Sequence, residues 1–353
     1  MFVFEKKEYA EKIPTDIECV IGADIGGTNS NIGIFQKKEN NLELIFSLHF
    51  KSQEITNFTK LTQDILNYVK KEFKITVKHS CFGIAGIISE NRDYCKPTNL
   101  DIAVDAHDII KHTDLETAIL ANDFEILGHG LLVLDPKQII QVKDGKEKKR
   151  SAKAIIGAGT GLGKTILIWD EVCGRYLPMP SEGGHADFSA QNQLELDLIQ
   201  FIKKTEKRPC NISWEDLLSG SGIGRIYNFF SQRNNKKNMN EELKNNGLHP
   251  DKIFSSKDLD EYSNQTYKLF STLYARCAKN FALDTLALNG LYIAGGIATK
   301  NIELFKQMIF LDEFLNCGKM IKILKEIPLY VIADYNVSLY GAAQFMKQQT
   351  RNI

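Results

Sequence analysis

From Cys19 to Phe35 the chain reads CVIGADIGGTNSNIGIF: an apolar run, the glycines Gly26 and Gly27, then Ile32, Ile34 and Phe35 alternating with small or polar residues. Period-two alternation on either side of a glycine break predicts strand, tight turn, strand. LELIFSLHF, just downstream, supplies a third strand. From about Asn57 to Phe73 the period changes, and Phe58, Leu61, Ile65, Leu66 and Val69 share one face of a predicted helix. HSCFGIAGII, 79 to 88, reads as a strand running into a loop. TAILANDFEILGHGLLVL reads as a strand, a short polar junction at Asn122 and Asp123, and a helix.

The second half repeats the opening theme. AKAIIGAGTGLGKTILIWD is again an apolar run, a glycine turn and a second apolar run. A long helix is predicted from about Leu259 to Ala287, with Tyr267, Phe270, Tyr274, Cys277 and Phe281 at steps of three and four. GLYIAGGIATKN reads as a strand broken by Gly295 and Gly296. Strand PLYVIAD and helix LYGAAQFMKQQ close the pattern, which is α/β throughout.

The second glycine turn poses a choice of chemistry. Ala158, followed by Gly163, Lys164 and Thr165, is one Gly-to-Ala change short of a P-loop. A P-loop seats its phosphate on the N-terminus of a helix, yet Thr165, Ile166, Leu167, Ile168 and Trp169 are β-branched, large or aromatic and predict a strand. Aligning Asp24 to Thr28 with Gly157 to Gly161 shows one turn used twice. That repetition predicts a duplicated architecture of two α/β lobes with a nucleotide clamped between them.

Bulk properties narrow the partners. The 353 residues suffice for two lobes, and 43% of them are apolar. Lys plus Arg equals Asp plus Glu at 44 each, so no charge bias points to nucleic acid or an anionic membrane, and a small-molecule partner is expected. The seven cysteines are scattered without a C-x-x-C pair, which reads as a reduced, cytoplasmic protein rather than a disulfide scaffold or zinc site. The polar stretch from Ser231 to Lys252 is expected to be a surface insertion with some disorder and is assigned no chemistry.

Each candidate residue has a functional and a plainer reading. The two glycine turns let backbone N–H groups approach phosphate oxygens, with Thr28 or Thr160 adding hydroxyls; the plainer role is a hairpin turn needing positive φ. Asp24 sits where it would hold hydrated Mg²⁺, or simply cap a turn. Asn122 and Asp123 read as a helix N-cap, or as a carboxylate taking the proton of an attacking hydroxyl, its pKa depressed by the helix N-terminus. In SEGGHADF, Glu182 and His185 flank two glycines that leave both side chains free to meet sugar hydroxyls; a loop histidine is otherwise simply solvated. Glu215 is expected in the first turn of a helix capped by Ser213, as a site residue or a dipole-favouring surface acid.

Together ADIGGTNSNIGIF, LANDF, GAGTGLG, SEGGHADF, WEDLLSG and LYIAGGIATK resemble the bacterial-type glucokinases, sugar kinases with the two-lobed actin-like ATPase (ribonuclease H-like) fold. The resemblance runs in order from about Val20 to Met346. It implies that Asp24, Gly26, Gly27, Thr28 and Asn29 form a first phosphate motif and Gly159, Thr160 and Gly161 a second. It implies Asp123 as catalytic base, Asn122 as its sugar-binding neighbour, and Asn99, Glu182, His185 and Glu215 as further sugar contacts. Gly295 and Gly296 fall in the adenosine motif. The implied ligands are glucose or a similar hexose, ATP and Mg²⁺, and the implied assembly is a homodimer. The lobes would be residues 1–133 with 334–353, and 134–333.

Two departures bear on which hexose is taken. FGIAGIIS lacks the family's usual proline, and NLDIAVD lacks the tryptophan many glucokinases carry. The competing class, a sugar-sensing regulator of the repressor/ORF/kinase type, expects an N-terminal helix-turn-helix, a basic footprint and a cysteine zinc cluster, and the sequence offers none of them ahead of Cys19 or around Cys173 and Cys210.

Overall fold

In the computed structural model, which describes residues 3–38, 41–233 and 249–350, the alternating segments become two mixed sheets in two units. The first unit holds residues 1–138, 172–180 and 334–353, and the second 139–171 and 181–333.

The first unit contains β1 (Glu5–Glu8), β2 (Glu18–Ile25), β3 (Asn29–Lys38), β4 (Asn41–Lys51), β5 (Thr76–Ile84), a short ribbon of β6 (Tyr94–Cys95) and β7 (Val104–Asp105), and β8 (Thr117–Asn122). Its main sheet has the order β1-β4-β3-β2-β5-β8. The hairpins β2-β3 and β3-β4 are antiparallel, whereas β2-β5 and β5-β8 are parallel. β1, which pairs with β4, went unforeseen because EKKE has no apolar alternation to betray it.

Alternation along β2 sorts its side chains by face. Ile21, Ala23 and Ile25 enter a core with the helix Phe58–Phe73, whose buried Phe58, Leu61, Ile65, Leu66 and Val69 are the predicted face. Val20 packs on the other side, against Leu339 and Ala343 of the C-terminal helix Val337–Gln349. Gly22 lies on that second face too, and a Cβ there would come within 2.5 Å of the Leu339 carbonyl oxygen. Asp24, two residues on, continues the face.

The second unit contains β9 (Ile139–Lys143), β10 (Lys153–Ala158), β11 (Leu162–Asp170), β13 (Leu291–Ala294) and β14 (Leu329–Ile332); most of β12 (Arg175–Ser181) groups with the first unit. Its strands run β11-β10-β13-β14-β9. β10-β11 is an antiparallel hairpin, and β10-β13 and β13-β14 are parallel. This repeats the antiparallel, parallel, parallel series of β3-β2-β5-β8. The duplication inferred from the two glycine turns therefore extends to the sheets. The helix Glu261–Thr285 carries the predicted apolar stripe into this unit's core.

Two expectations need correction. GLYIAGGIATKN is no strand broken by glycines: β13 stops at Ala294, Gly295 takes φ +89°, and the helix Gly296–Lys300 begins at once. A Cβ on Gly295 would meet the Ala158 carbonyl oxygen at 2.5 Å, so only glycine makes this turn. The stretch from Ser231 to Lys252 is also not all insertion. Ser231 ends inside the helix Gly220–Arg233, and Lys252 belongs to the short helix Pro250–Ser255, whose Ile253 and Phe254 are buried; 234–248 lie outside the described residues.

Candidate active site

The first unit gathers its candidates at the carboxyl ends of its parallel strands, the usual place for a ligand in an α/β sheet. Ile25, Ile84 and Asn122 are level across β2, β5 and β8. The chain leaves β2 through Gly26–Thr28 and leaves β8 at Asp123, so Asp24 and Asp123 stand two strand spacings apart, on the order of 10 Å.

The first glycine turn closes with the Gly26 N–H donating to the Asn29 carbonyl, 3.1 Å, while the Thr28 carbonyl accepts from Ser52 N–H, 2.9 Å. Its glycines do not adopt the positive φ of the plainer hairpin reading. Gly27 is required for space: a Cβ would lie 2.8 Å from Cβ of Asn99, so the first glycine turn and the loop bearing Asn99 are in contact. Gln53 ties the same two loops, its Nε2 donating to the Gly27 carbonyl at 3.0 Å and the Asn99 carbonyl at 3.5 Å. Burial raises the Asp24 carboxyl to about 6, against a hydrogen bond from Ser338.

Asn122 is the cap its sequence suggests, its Oδ1 accepting from the N–H groups of Phe124, 2.9 Å, and Glu125, 3.2 Å. No polar junction separates strand from helix. Asn122 ends β8 and Asp123 opens the helix Asp123–Leu131. Oδ1 of Asp123 accepts the Phe124 N–H at 3.0 Å. Nδ2 of Asn122 donates to the Gly86 carbonyl, 3.3 Å, which fixes the loop after β5 against the junction.

The second unit brings Gly159, Thr160, Gly161, Glu182, His185 and Glu215 together. β10 and β11 meet through Gly159–Gly161, with Gly159 N–H donating to the Gly161 carbonyl at 2.8 Å and Gly220 N–H to the Gly159 carbonyl at 2.9 Å. Glu215 lies against this turn, its Oε2 accepting from Leu162 N–H at 2.8 Å. A Cβ on Gly161 would come 2.4 Å from that oxygen. Ser213 caps the helix Trp214–Leu217 as expected, in a reciprocal box with Asp216. His185 lies between two acids, its Nε2 3.7 Å from Glu182 and its Nδ1 3.8 Å from Glu215. The side chains of His185 and Glu182 are half exposed. Gly295 abuts Ala158 at the end of β10, while nothing lies within 4 Å of a Cβ built on Gly296 or Gly159, which leaves both backbones open to close approach.

Lys164 does not serve as a P-loop lysine. It sits within β11, is buried, and its Nζ lies 5.2 Å over the Phe281 ring. Gln53 and Ser338 were missed by sequence reasoning, as was the bond from Asn122 to Gly86, although the loop holding Gly86 was singled out. Their partners lie far along the chain, Ser338 from Asp24 above all, and no local spacing signals such pairs.

The glucokinase family model matches residues 21–349, and the chain belongs to that family; it is a kinase of a hexose. Relatives include the glucokinases of Nostoc punctiforme, 33% identical over 92% of this chain and 97% of theirs, and of Trichormus variabilis, 32% identical over the same shares. Among solved structures, the glucokinase of Balamuthia mandrillaris in complex with glucose superposes with a TM-score of 0.82 at 20% identity, covering 94% of each chain. The fold is thus the two-lobed one of the actin-like sugar kinases.

Proposed function

We propose that this protein transfers the γ-phosphoryl group of ATP to the 6-hydroxyl of glucose, giving glucose 6-phosphate and ADP, with Mg²⁺ as counter-ion and a homodimer as the assembly. The observation that carries this reading is the pairing of Asn122 and Asp123: the asparagine satisfies the helix N-terminus, and the aspartate is held at the carboxyl edge of the sheet, level with the phosphate turn.

In this reading Glu182, His185 and Glu215 hold sugar hydroxyls, the carboxylates accepting and the imidazole fixing orientation, and Asn99 and Asn122 are sugar ligands as well. Asp123 accepts the proton of the 6-hydroxyl as its oxygen bonds to the γ-phosphorus and the bond to the β-phosphate oxygen breaks in line. The N–H groups of the turns at Gly26–Asn29 and Gly159–Gly161 donate to phosphate oxygens, and Gly295 and Gly296 give the adenosine a flat approach.

The residues fit Mg²⁺. A single carboxylate suits an ion that keeps several waters and takes its other ligands from phosphates, and Asp24, whose charge burial disfavours, is stabilised by a cation. That ion would neutralise charge on the β- and γ-phosphates when bound.

The test is product formation from Mg-ATP with glucose, fructose, mannose, N-acetylglucosamine and no sugar. Glucose is expected to give the highest kcat/KM. ADP release at the same rate without sugar would overturn the reading, and preference for another hexose would move the explanation to the loops at Gly86 and Asn99.

A further inference from the structure

Arg92 lies outside every motif of the family resemblance, yet its backbone is held in the left-handed region at φ +60°, a conformation that non-glycine residues seldom adopt. Two of its groups make three contacts with the strand–helix junction or the helix packed on it. Its carbonyl accepts from Leu120 N–H in β8 at 2.9 Å. Its guanidinium makes a two-pronged bond to Glu125, with NH1 and NH2 2.9 and 2.8 Å from the two carboxylate oxygens. The same guanidinium lies 4.8 Å over the ring of Phe345 in the C-terminal helix. Glu125 is only 8% exposed at its side chain, so losing this partner would leave a buried carboxylate unpaired.

These bonds close a ring. Leu120 N–H meets the Arg92 carbonyl, the Arg92 side chain meets Glu125, and Glu125 N–H returns to Oδ1 of Asn122. They bridge the segment from Leu120 to Glu125, on which Asp123 lies. The segment is braced on one side by Asn122 Nδ2 on the Gly86 carbonyl, from the same loop that carries Arg92.

We propose that Arg92, acting through Glu125, is a positioning residue that fixes the direction of the Asp123 carboxylate and so governs kcat more than substrate affinity. The proposal rests on the reading of Asp123 as the base. A displacement of the base by about 1 Å is enough to cost up to ~100-fold in rate.

The experiment compares Arg92→Ala, Arg92→Lys, Glu125→Gln and the Arg92→Ala/Glu125→Gln double variant with Phe345→Leu and Asp123→Asn, measuring kcat, KM for glucose and ATP, and melting temperature. Arg92→Ala and Glu125→Gln are each expected to lower kcat about 10- to 100-fold while KM for ATP changes less than about threefold, and the double variant is expected to match the singles. Arg92→Lys, which keeps the charge and loses the fork, is expected to recover only part of kcat. Phe345→Leu, which removes the ring beneath the guanidinium but keeps the fork to Glu125, is expected to lower the melting temperature more than it lowers kcat. Arg92 variants that melt earlier but keep wild-type kcat would overturn the proposal. Full turnover in Asp123→Asn would instead overturn the base assignment on which it rests.

Discussion

Asp24 answers two opposed demands. It sits on the face of β2 packed under the C-terminal helix, where burial raises its carboxyl from an ordinary 3.8 to about 6. Between those values the folded chain holds a proton that the unfolded chain has lost, so this group's contribution to stability falls as pH rises through the window and stays unfavourable above it. Asp24→Asn is therefore expected to raise the unfolding free energy at pH 8 without nucleotide, by at most about 3 kcal/mol, and to leave it unchanged near pH 3.5, while abolishing kinase activity. Denaturant unfolding at the two pH values checks this; equal effects at both would contradict it. The residue scale was also where the sequence was easiest to misjudge. Gly27 and Gly161 stood out as glycines, but their reason is contact with Asn99 and Glu215, and neither partner lies near them in sequence.

At the scale of elements, the helix that opens with Asp123 is placed by small residues. A Cβ on Gly130 would lie 2.0 Å from the Val337 carbonyl oxygen, and one on Gly341 1.7 Å from that of Ile126, so this helix and the C-terminal helix touch backbone to backbone. Neither contact can absorb a methyl group by side-chain motion. Gly341→Ala is expected to push the helices apart and destabilise the protein by about 1–3 kcal/mol, with kcat falling as Asp123 moves; melting and steady-state assays check this, and an unchanged melting temperature would contradict it. Periodicity revealed most of these elements because each buries one face: the stripe of Phe58–Phe73 and the alternation of β2 and β3 are both direct consequences of a core on one side. It failed where the local pattern was silent, at charged β1, or where a single φ decided the outcome, at Gly295.

At the scale of the whole molecule, one strand-turn-strand pattern used twice produced two sheets that share an antiparallel, parallel, parallel series, and this was legible because the glycine turns repeat in the sequence itself. What the residues do was not legible in composition or periodicity; the assignment of Asp123 as base and of Glu182, His185 and Glu215 as sugar contacts came only from the family resemblance. Assigning Asp123 as base and that cluster as sugar ligands is the central claim, and it separates cleanly in one variant. In Asp123→Asn, glucose affinity measured without nucleotide should stay within about threefold of the unaltered protein while kcat with Mg-ATP and glucose falls by at least ~100-fold. Turnover within tenfold of the unaltered protein would contradict the account.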